Sequence, residues 1–318
     1  MSVVRTAPSR IVVATRESAL AMWQARYIQV RLQELHPGLD VQILGMTTEG
    51  DRKLDASLAK IGGKGLFVKE LEDCLVRGEA DIAVHSMKDV PMDLQPGHVI
   101  AAIPSRADPR DAFVANRYSS LAELPAGARV GTSSLRRESQ LRARRPDLVV
   151  EPLRGNVPTR LRKLDEGLYD AILLAAAGLK RLGLAERITS LLTTEESLPA
   201  AGQGAIGVEC RADRDDLLCA LAALDHESTA LAVRAERAVA RTLAGSCNVP
   251  LAAYAEVSGQ MMRLRGFVGA PDGSVTVRDA LEGLASDAEA HGVALANRMR
   301  EAGAAEILSA LASAEVRK

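Results

Sequence analysis

Between Arg10 and Arg181 the chain runs twice through strand, helix, strand, loop, helix and strand, and this repetition constrains the fold more than any other feature. Arg10 to Thr15, with the apolar run Ile11-Val12-Val13-Ala14, reads as a buried strand. A helix follows with Leu20, Trp23, Tyr27 and Val30 on one face, stopped by His36-Pro37-Gly38. Val41 to Met46 is the next strand, and Thr47 to Lys60 is polar and mixed. Gly62-Gly63-Lys64-Gly65 is a loop, a helix runs from Leu66 to Arg77, and Asp81 to Ser86 leads straight into Met87-Lys88-Asp89-Val90-Pro91. In the second round Ala128 to Thr132 is a strand, and a helix carries Leu135 and Leu141 before stopping near Pro146. Leu148 to Leu153 is a strand, Arg154 to Arg160 a loop opening a helix that ends at Gly167, and Tyr169 to Ala176 a strand followed by Gly178 to Arg181. Strands alternating with helices predict a parallel sheet with helices on both faces. Two such halves predict a duplicated protein with two α/β lobes and ligand at the carboxyl ends of the strands.

The lobes are joined through Val99 to Pro109 and Leu198 to Gly207, and Ala205 to Cys210 reads as a strand returning to the first lobe. Two crossings would form a hinge. From about His226 the pattern changes. A helix from Ser228 to Leu243 precedes Gly245-Ser246-Cys247-Asn248, then strands at Leu251 to Val257, Met261 to Val268 and Ser274 to Asp279, then alanine-rich helices. The turns at Ser258-Gly259 and Pro271-Asp272-Gly273 predict an antiparallel meander. The expected division is 8–104 with 205–222 for the first lobe, 105–204 for the second, and 223–318 for a small C-terminal α+β domain with a three-stranded antiparallel sheet.

Forty basic against 41 acidic residues give a net charge of −1, so no global positive charge draws this chain to nucleic acid. Aromatic residues are 3%, too few for stacking platforms. No apolar run approaches a membrane span, and Met1 to Arg10 lacks the apolar core of a signal peptide. The expected location is the cytoplasm, with no nucleic-acid or membrane partner. Of the cysteines, Cys74, Cys210 and Cys219 fall on apolar patterns and read as core. Cys247 lies on a turn between a helix and a strand, with Gly245 able to cap the helix and Pro250 preventing its continuation. No metal-ligand spacing is present, so no metal is expected.

The placement of basic residues carries more information than their number. Arg16, Lys64, Lys88, Arg136, Arg137, Arg154, Arg160 and Arg181 fall at strand ends, in loops or on first helical turns, the positions that face the ligand in a doubly wound lobe. Helix N-termini add donors there, and Thr132, Ser133 and Ser134 add hydroxyls. The set predicts a ligand with several negative groups, carboxylates or phosphates. Asp89 is an acid among these bases. It either pairs with Lys88 or caps the turn, or it is a carboxylate available to stabilise a developing cation or move a proton. His85, in a strand, and His98, in a loop, have no spaced partner and read as structural.

The segments Ala14-Thr15-Arg16-Glu17-Ser18, Gly62 to Leu71, Asp81-Ile82-Ala83-Val84-His85-Ser86-Met87-Lys88-Asp89-Val90-Pro91 and Gly131-Thr132-Ser133-Ser134-Leu135-Arg136-Arg137 resemble the porphobilinogen deaminase (hydroxymethylbilane synthase) family. So do Leu153-Arg154-Gly155-Asn156-Val157 with Thr159-Arg160, Leu198-Pro199-Ala200 with Gly202-Gln203-Gly204, and Gly245-Ser246-Cys247. The resemblance runs from about Arg10 to Gly273 and more loosely beyond. Ala19 stands where many members have proline and Glu49 where some have arginine, while Ser246 and Asn248 flank the cysteine where other small or polar residues occur.

The resemblance implies two similar doubly wound lobes like those of two-lobed periplasmic-binding-protein folds, plus the C-terminal domain. It implies a transferase that joins four porphobilinogen molecules head to tail, releases ammonia at each step and frees hydroxymethylbilane with water. The implied cofactor is dipyrromethane, thioether-linked to Cys247. Asp89 is the expected catalytic residue. Lys88, Thr132, Ser134, Arg136, Arg137, Arg154 and Gly155 are expected to hold the cofactor with Cys247. Arg16, Ser18, Lys64, Arg154, Arg160, Arg181 and Gln203 are expected to bind substrate. The pyrrole acetates and propionates are the anions such arginines suit. A monomer that passes its product to the next tetrapyrrole enzyme completes the expectation. A non-catalytic binding protein for an anionic metabolite, or a ligand-sensing regulator, would fit the lobes alone, although no helix-turn-helix or basic segment precedes Arg10.

Overall fold

The structure is a computed structural model that describes residues 8–48, 68–243 and 249–316. Contacts divide the chain into two compact units, Met1–Arg106 with Ala205–Ala230, and Ala107–Gly204 with Leu231–Lys318.

The first unit is built on a five-stranded sheet of order β2-β1-β3-β10-β4. Its strands are β1 (Arg10–Arg16), β2 (Asp40–Met46), β3 (Ile82–Ser86), β4 (His98–Ala102) and β10 (Ile206–Arg211). Helices α1 (Ala19–Leu35), α2 (Lys69–Val76) and α6 (Asp215–Leu221) cover it. The pleat sorts the apolar run of β1 between two cores. Ile11 and Val13 join Ile82 and Val84 against Ile28 and Leu32 of α1 and Leu217 and Leu221 of α6. Ala14 and Ala83 face the other way, onto Leu71, Cys74 and Leu75 of α2. Burial on both faces explains why these strands read as unbroken apolar runs. Ile28 and Leu32 have no exposed surface, and each such side chain contributes about 1.5–3 kcal/mol.

The second unit repeats the plan with strands β5 (Asp111–Ala115), β6 (Arg129–Gly131), β7 (Val149–Glu151), β8 (Ala171–Ala175) and β9 (Ser190–Leu191) in the order β7-β6-β8-β5-β9. Helices α3 (Leu135–Arg144), α4 (Val157–Asp165) and α5 (Ala176–Arg181) accompany them. Again the pleat divides the strands: Ala112, Val114, Ile172 and Leu174 pack with α4 and α5, while Phe113 and Leu173 pack with Leu141 of α3. Each sheet is mixed rather than wholly parallel. Strands β2, β1 and β3 run parallel, as do β7, β6 and β8, but β10 and β5 run against their neighbours. These two are the strands by which the chain enters one sheet after leaving the other. Their role is the same in both halves, which extends the duplication to the crossings.

The tail forms α7 (Glu227–Leu243), an antiparallel meander of β11 (Leu251–Ser258), β12 (Met261–Gly269) and β13 (Thr276–Leu284), then α8 (Ala288–Met299) and α9 (Ala305–Val316). Gly259 has φ +58°, as the first central residue of a two-residue hairpin requires. β13 extends well beyond the expected Asp279. It is an edge strand buried on one face at most, and its alternation of charged and small residues hides it from a search for apolar runs. Cys219 also departs from expectation. It is exposed, because Leu217, Ala220 and Leu221 take the buried face of the short α6.

At the start of β5, Asp111 is wholly buried and gathers donors from two segments, α3 and the loop 197–204. Arg136 Nη1 and Nη2 donate to its two oxygens at 2.8 and 3.1 Å. Arg137 Nε and Nη2 donate to Oδ1 at 3.0 and 2.8 Å. Ser197 Oγ donates to Oδ2 at 2.6 Å and Gln203 Nε2 to Oδ1 at 2.9 Å. Burial alone would raise the Asp111 pKa, but the two guanidiniums more than offset it and hold the carboxyl well below the usual range. Burial also disfavours the charge on Arg136, and Asp111 is what opposes it.

A folded pKa below the unfolded one means a contribution that is complete above the unfolded value of about 3.9 and is lost as pH falls toward the folded value. Asp111→Asn strands two guanidiniums, and we expect it to cost about 3–5 kcal/mol. Urea unfolding of both proteins from about pH 7 to about pH 3 checks this, since the variant should also lose part of the acid sensitivity. Equal midpoints at neutral pH would contradict it.

Candidate active site

β1 and β3 are parallel neighbours, so their carboxyl ends, Arg16 and Ser86, share one edge of the first sheet. Helix α1 begins at that edge. Ser18 caps it, its hydroxyl accepting from the Ala21 N–H at 3.4 Å. Thr15 Oγ1 donates to the Ala21 carbonyl, fastening strand end to first turn. A cleft of about 60 Å³ lies here, lined by Arg16, Ser18, Gln24, His85, Ser86 and Asp89 among others. Gln24 Nε2 donates to Ser86 Oγ at 2.8 Å across its wall.

Asp89 ends a single 3₁₀ turn, Met87–Asp89. The turn is anchored at its start, where the Met87 N–H donates to the Ala205 carbonyl at 3.0 Å. Met87 is buried, and a Cβ at Gly207 would collide with its sulfur. With Met87 inward, Asp89 is exposed and Lys88 half-buried. Among the described residues the Asp89 carboxylate makes no hydrogen bond or ion pair. Neither a pairing with Lys88 nor a side-chain cap of its turn is formed.

In the second unit the loop after β6 opens α3. Ser134 caps it, accepting from the Arg137 N–H at 3.5 Å, and Thr132 Oγ1 accepts from the Ser134 N–H at 3.2 Å. Ser133 Oγ holds both the N–H and the carbonyl of Leu153 at 3.0 Å, tying this loop to the one carrying Arg154. Gly155 has φ +111°, and a Cβ there would lie 2.7 Å from Thr159 Cγ2, so the position admits only glycine. Asn156 caps α4 from the Thr159 N–H at 3.0 Å, with Pro158 in the first turn.

The predicted cations fall into different situations. Arg136 and Arg137 are 4% and 5% exposed and lie on Asp111, with further bonds to the Leu198 and Leu173 carbonyls. Arg160 Nε donates to the Gly155 carbonyl at 2.7 Å, and Arg181 Nη2 to the Gly204 carbonyl at 2.7 Å. Arg154 is half-buried, and among the described residues its guanidinium makes no hydrogen bond or ion pair. Gln203 is buried on Asp111 and on the Pro109 carbonyl at 2.6 Å. The structure thus brings Arg16, Ser18 and Asp89 together in one unit. In the other it brings together Thr132, Ser134, Arg136, Arg137 and Gln203, with Arg154 and Gly155 on the adjoining loop and Arg160 in the first turns of α4. Lys64 and Cys247 lie outside the described residues.

Sequence reading missed Asp111, the hub of the second group. The available signal was an acid opening the apolar run Ala112 to Ala115. It missed Glu209 as well, and placed His98 in a loop although it starts β4. Among the described residues no cluster of His, Cys, Asp and Glu could hold a metal ion, and no helix is long and apolar enough to cross a membrane.

Residues 11–219 match the family model described as "Porphobilinogen deaminase, dipyromethane cofactor binding domain", and 230–301 match "Porphobilinogen deaminase, C-terminal domain". The porphobilinogen deaminase of Laribacter hongkongensis is 59% identical over 305 residues, covering 96% of this chain and 99% of that one. That of Thiobacillus denitrificans is 62% identical over 301 residues, covering 95% and 98%. Among solved structures, the methionine-binding protein MetQ aligns over 68% of this chain and 90% of its own, at 14% identity and TM-score 0.44, too distant to bear on function. The two domain matches set aside the readings as a binding protein or a regulator. The chain belongs to the porphobilinogen deaminase family, transferases that polymerise porphobilinogen into hydroxymethylbilane and carry a dipyrromethane cofactor.

Proposed function

We propose that the cleft holding Asp89 is where each porphobilinogen is coupled, and that Asp89 stabilises the positive charge that develops there. The observation that carries this reading is an exposed carboxylate with no partner among the described residues, set on an anchored turn beside Arg16 and Ser18. Charge type assigns the role. The acetate and propionate of the substrate are anionic and would be repelled, whereas pyrrole N–H groups, the aminomethyl ammonium and a cationic pyrrole gain from a carboxylate nearby. Loss of ammonia leaves such an electron-poor pyrrole, and a fixed anion lowers the energy of the transition state that forms it.

Dipyrromethane, when bound, supplies the primer on which the chain is built, and Cys247 is the proposed point of thioether attachment. The donor set fits its acetates and propionates. Among the described residues, the Arg154 guanidinium is open to an anion and the buried Arg136 Nε has no partner. Lys88, Thr132, Ser134, Arg137 and Gly155 complete the proposed cofactor side. Arg16, Ser18, Lys64, Arg160, Arg181 and Gln203 complete the substrate side. We assign 223–318 as a separate cofactor-carrying domain beside the lobes 8–104 with 205–222 and 105–204. The protein is further proposed to act as a cytoplasmic monomer and to pass its linear product to the next tetrapyrrole enzyme.

Asp89→Asn keeps the size of the side chain and removes its charge. It should retain the cofactor yet turn over at least about a hundredfold more slowly, and Asp89→Glu should be less damaging. Steady-state turnover of both variants, with the adduct verified by mass, tests this. Near-normal turnover in loaded Asp89→Asn would make Asp89 a structural residue.

Replacing Arg154 or Arg160 with leucine should remove a charge-assisted bond worth about 1.5–3 kcal/mol, so that enzyme–intermediate complexes stall at partial chain lengths while the protein stays folded. Arg136→Leu and Arg137→Leu should in addition lower the melting temperature, because each abandons Asp111. Native mass spectra and thermal melts of the four variants separate the two behaviours. Normal elongation in all four would refute the assignment.

A further inference from the structure

Behind the Asp89 cleft lies a second set of titratable groups. His85 of β3 lines the cleft, and its Nε2 is 2.8 Å from Glu209 Oε2 of β10. The contact is close but poorly aligned for a hydrogen bond, so both Glu209 oxygens lack a bonded partner. Glu72 of α2 and His98 of β4 belong to the same cluster, and both ring nitrogens of His98 are buried without partners among the described residues. All four side chains are buried: Glu209 is 0% exposed, Glu72 4%, His85 6% and His98 8%.

Charge balance gives this cluster its character. Two carboxylates are buried close together, and no lysine or arginine among the described residues pairs with either. An uncompensated buried pair of anions is costly, and the imidazoles of His85 and His98 are the polar groups set beside it. Burial pushes the Glu72 carboxyl up and Glu209 adds to this, against the Gln95 N–H bond and the two histidines. The cluster meets the cleft at one side chain, His85. With Nε2 turned to Glu209, Nδ1 is the nitrogen left to exchange a proton with the cleft. Among the described residues, Arg16 and Asp89 are the charged groups lining that cleft with it.

We propose that His85, backed by Glu209, accepts the proton released from the pyrrole α-carbon at each coupling. This rests on the Asp89 cleft being the coupling site. In that step a C–C bond forms between the incoming aminomethyl carbon and the free α-carbon of the chain. The C–N bond breaks and its electron pair leaves with ammonia. The α C–H bond then breaks, its electrons restore the aromatic ring, and the proton passes to His85 Nδ1 and on to water. No oxidant or reductant is needed. Asp89 holds the cation, and His85 removes the proton that ends it.

The test compares porphobilinogen carrying deuterium or protium at the free α-carbon, in the wild type, His85→Asn, Glu209→Gln and Asp89→Asn, each loaded with cofactor. His85→Asn should slow turnover about a hundredfold, within the range general bases contribute, and should show a larger deuterium isotope effect than the wild type. Glu209→Gln should raise the isotope effect too, and in ¹⁵N-histidine-labelled protein it should shift the His85 ring signals without substrate. If His85→Asn fails to fold, Glu209→Gln carries both readouts. Wild-type isotope effects in the folded variants, with Asp89→Asn still impaired, would overturn the proton-acceptor role and leave the cleft assignment standing. Unimpaired Asp89→Asn would instead overturn the cleft assignment beneath it.

Discussion

A carboxylate with no exposed surface and two arginines on it, Asp111 with Arg136 and Arg137, is the interaction on which the second unit depends. A charge at that depth survives only with full compensation. Compensation draws in α3 through both arginines, the loop 197–204 through Ser197 and Gln203, and β8 through the bond from Arg137 to the Leu173 carbonyl. The same loop is held again by Gln140, whose amide binds both the N–H and the carbonyl of Leu198. Glu236 of α7 accepts from Gly202 N–H at 2.7 Å and from Ala255 N–H of β11 at 2.9 Å, so the tail is fastened to that loop as well. Such polar networks add less net stability than an apolar core would, but they fix one arrangement of loop and helix.

The acids of this protein differ in what surrounds them, and function follows the difference. Asp111 is saturated with donors and is committed to structure. Asp89, exposed on an anchored turn, carries a charge that no described neighbour uses. Glu209 and Glu72 are buried without a described lysine or arginine, beside His85 and His98. A transferase that expels ammonia, stabilises a cation and then removes a proton from carbon needs an anion and a proton acceptor close together. In the proposed reading, Asp89 and His85 supply these two groups around one cleft of the first unit.

Much of the fold was legible because its signals are local. The strand at Arg10, the turn at His36-Pro37-Gly38, the strand before Met87 and the meander after Pro250 all stand close to where apolar runs and turn residues put them. Strands β4, β5 and β9 were not legible, being short and lying in or beside segments that read as connections. The site was legible as positions but not as partnerships. Arg136 and Arg137 sit at the expected helix start, yet Asp111 is 25 and 26 residues away in sequence, and Gln203 lies 92 residues from it. His85 read as structural for the same reason: Glu209 reaches it only through the antiparallel pairing of β10 with β3. Pairings set by sheet topology leave no trace in spacing.

The central claim is that this chain builds its product on a covalent primer held by Cys247, and the intact mass of the purified protein addresses it most directly. The account predicts a mass above that of the sequence by a two-pyrrole adduct, with peptide mapping placing the adduct on Cys247 and leaving Cys74, Cys210 and Cys219 unmodified. A fully active protein with the bare sequence mass would contradict it.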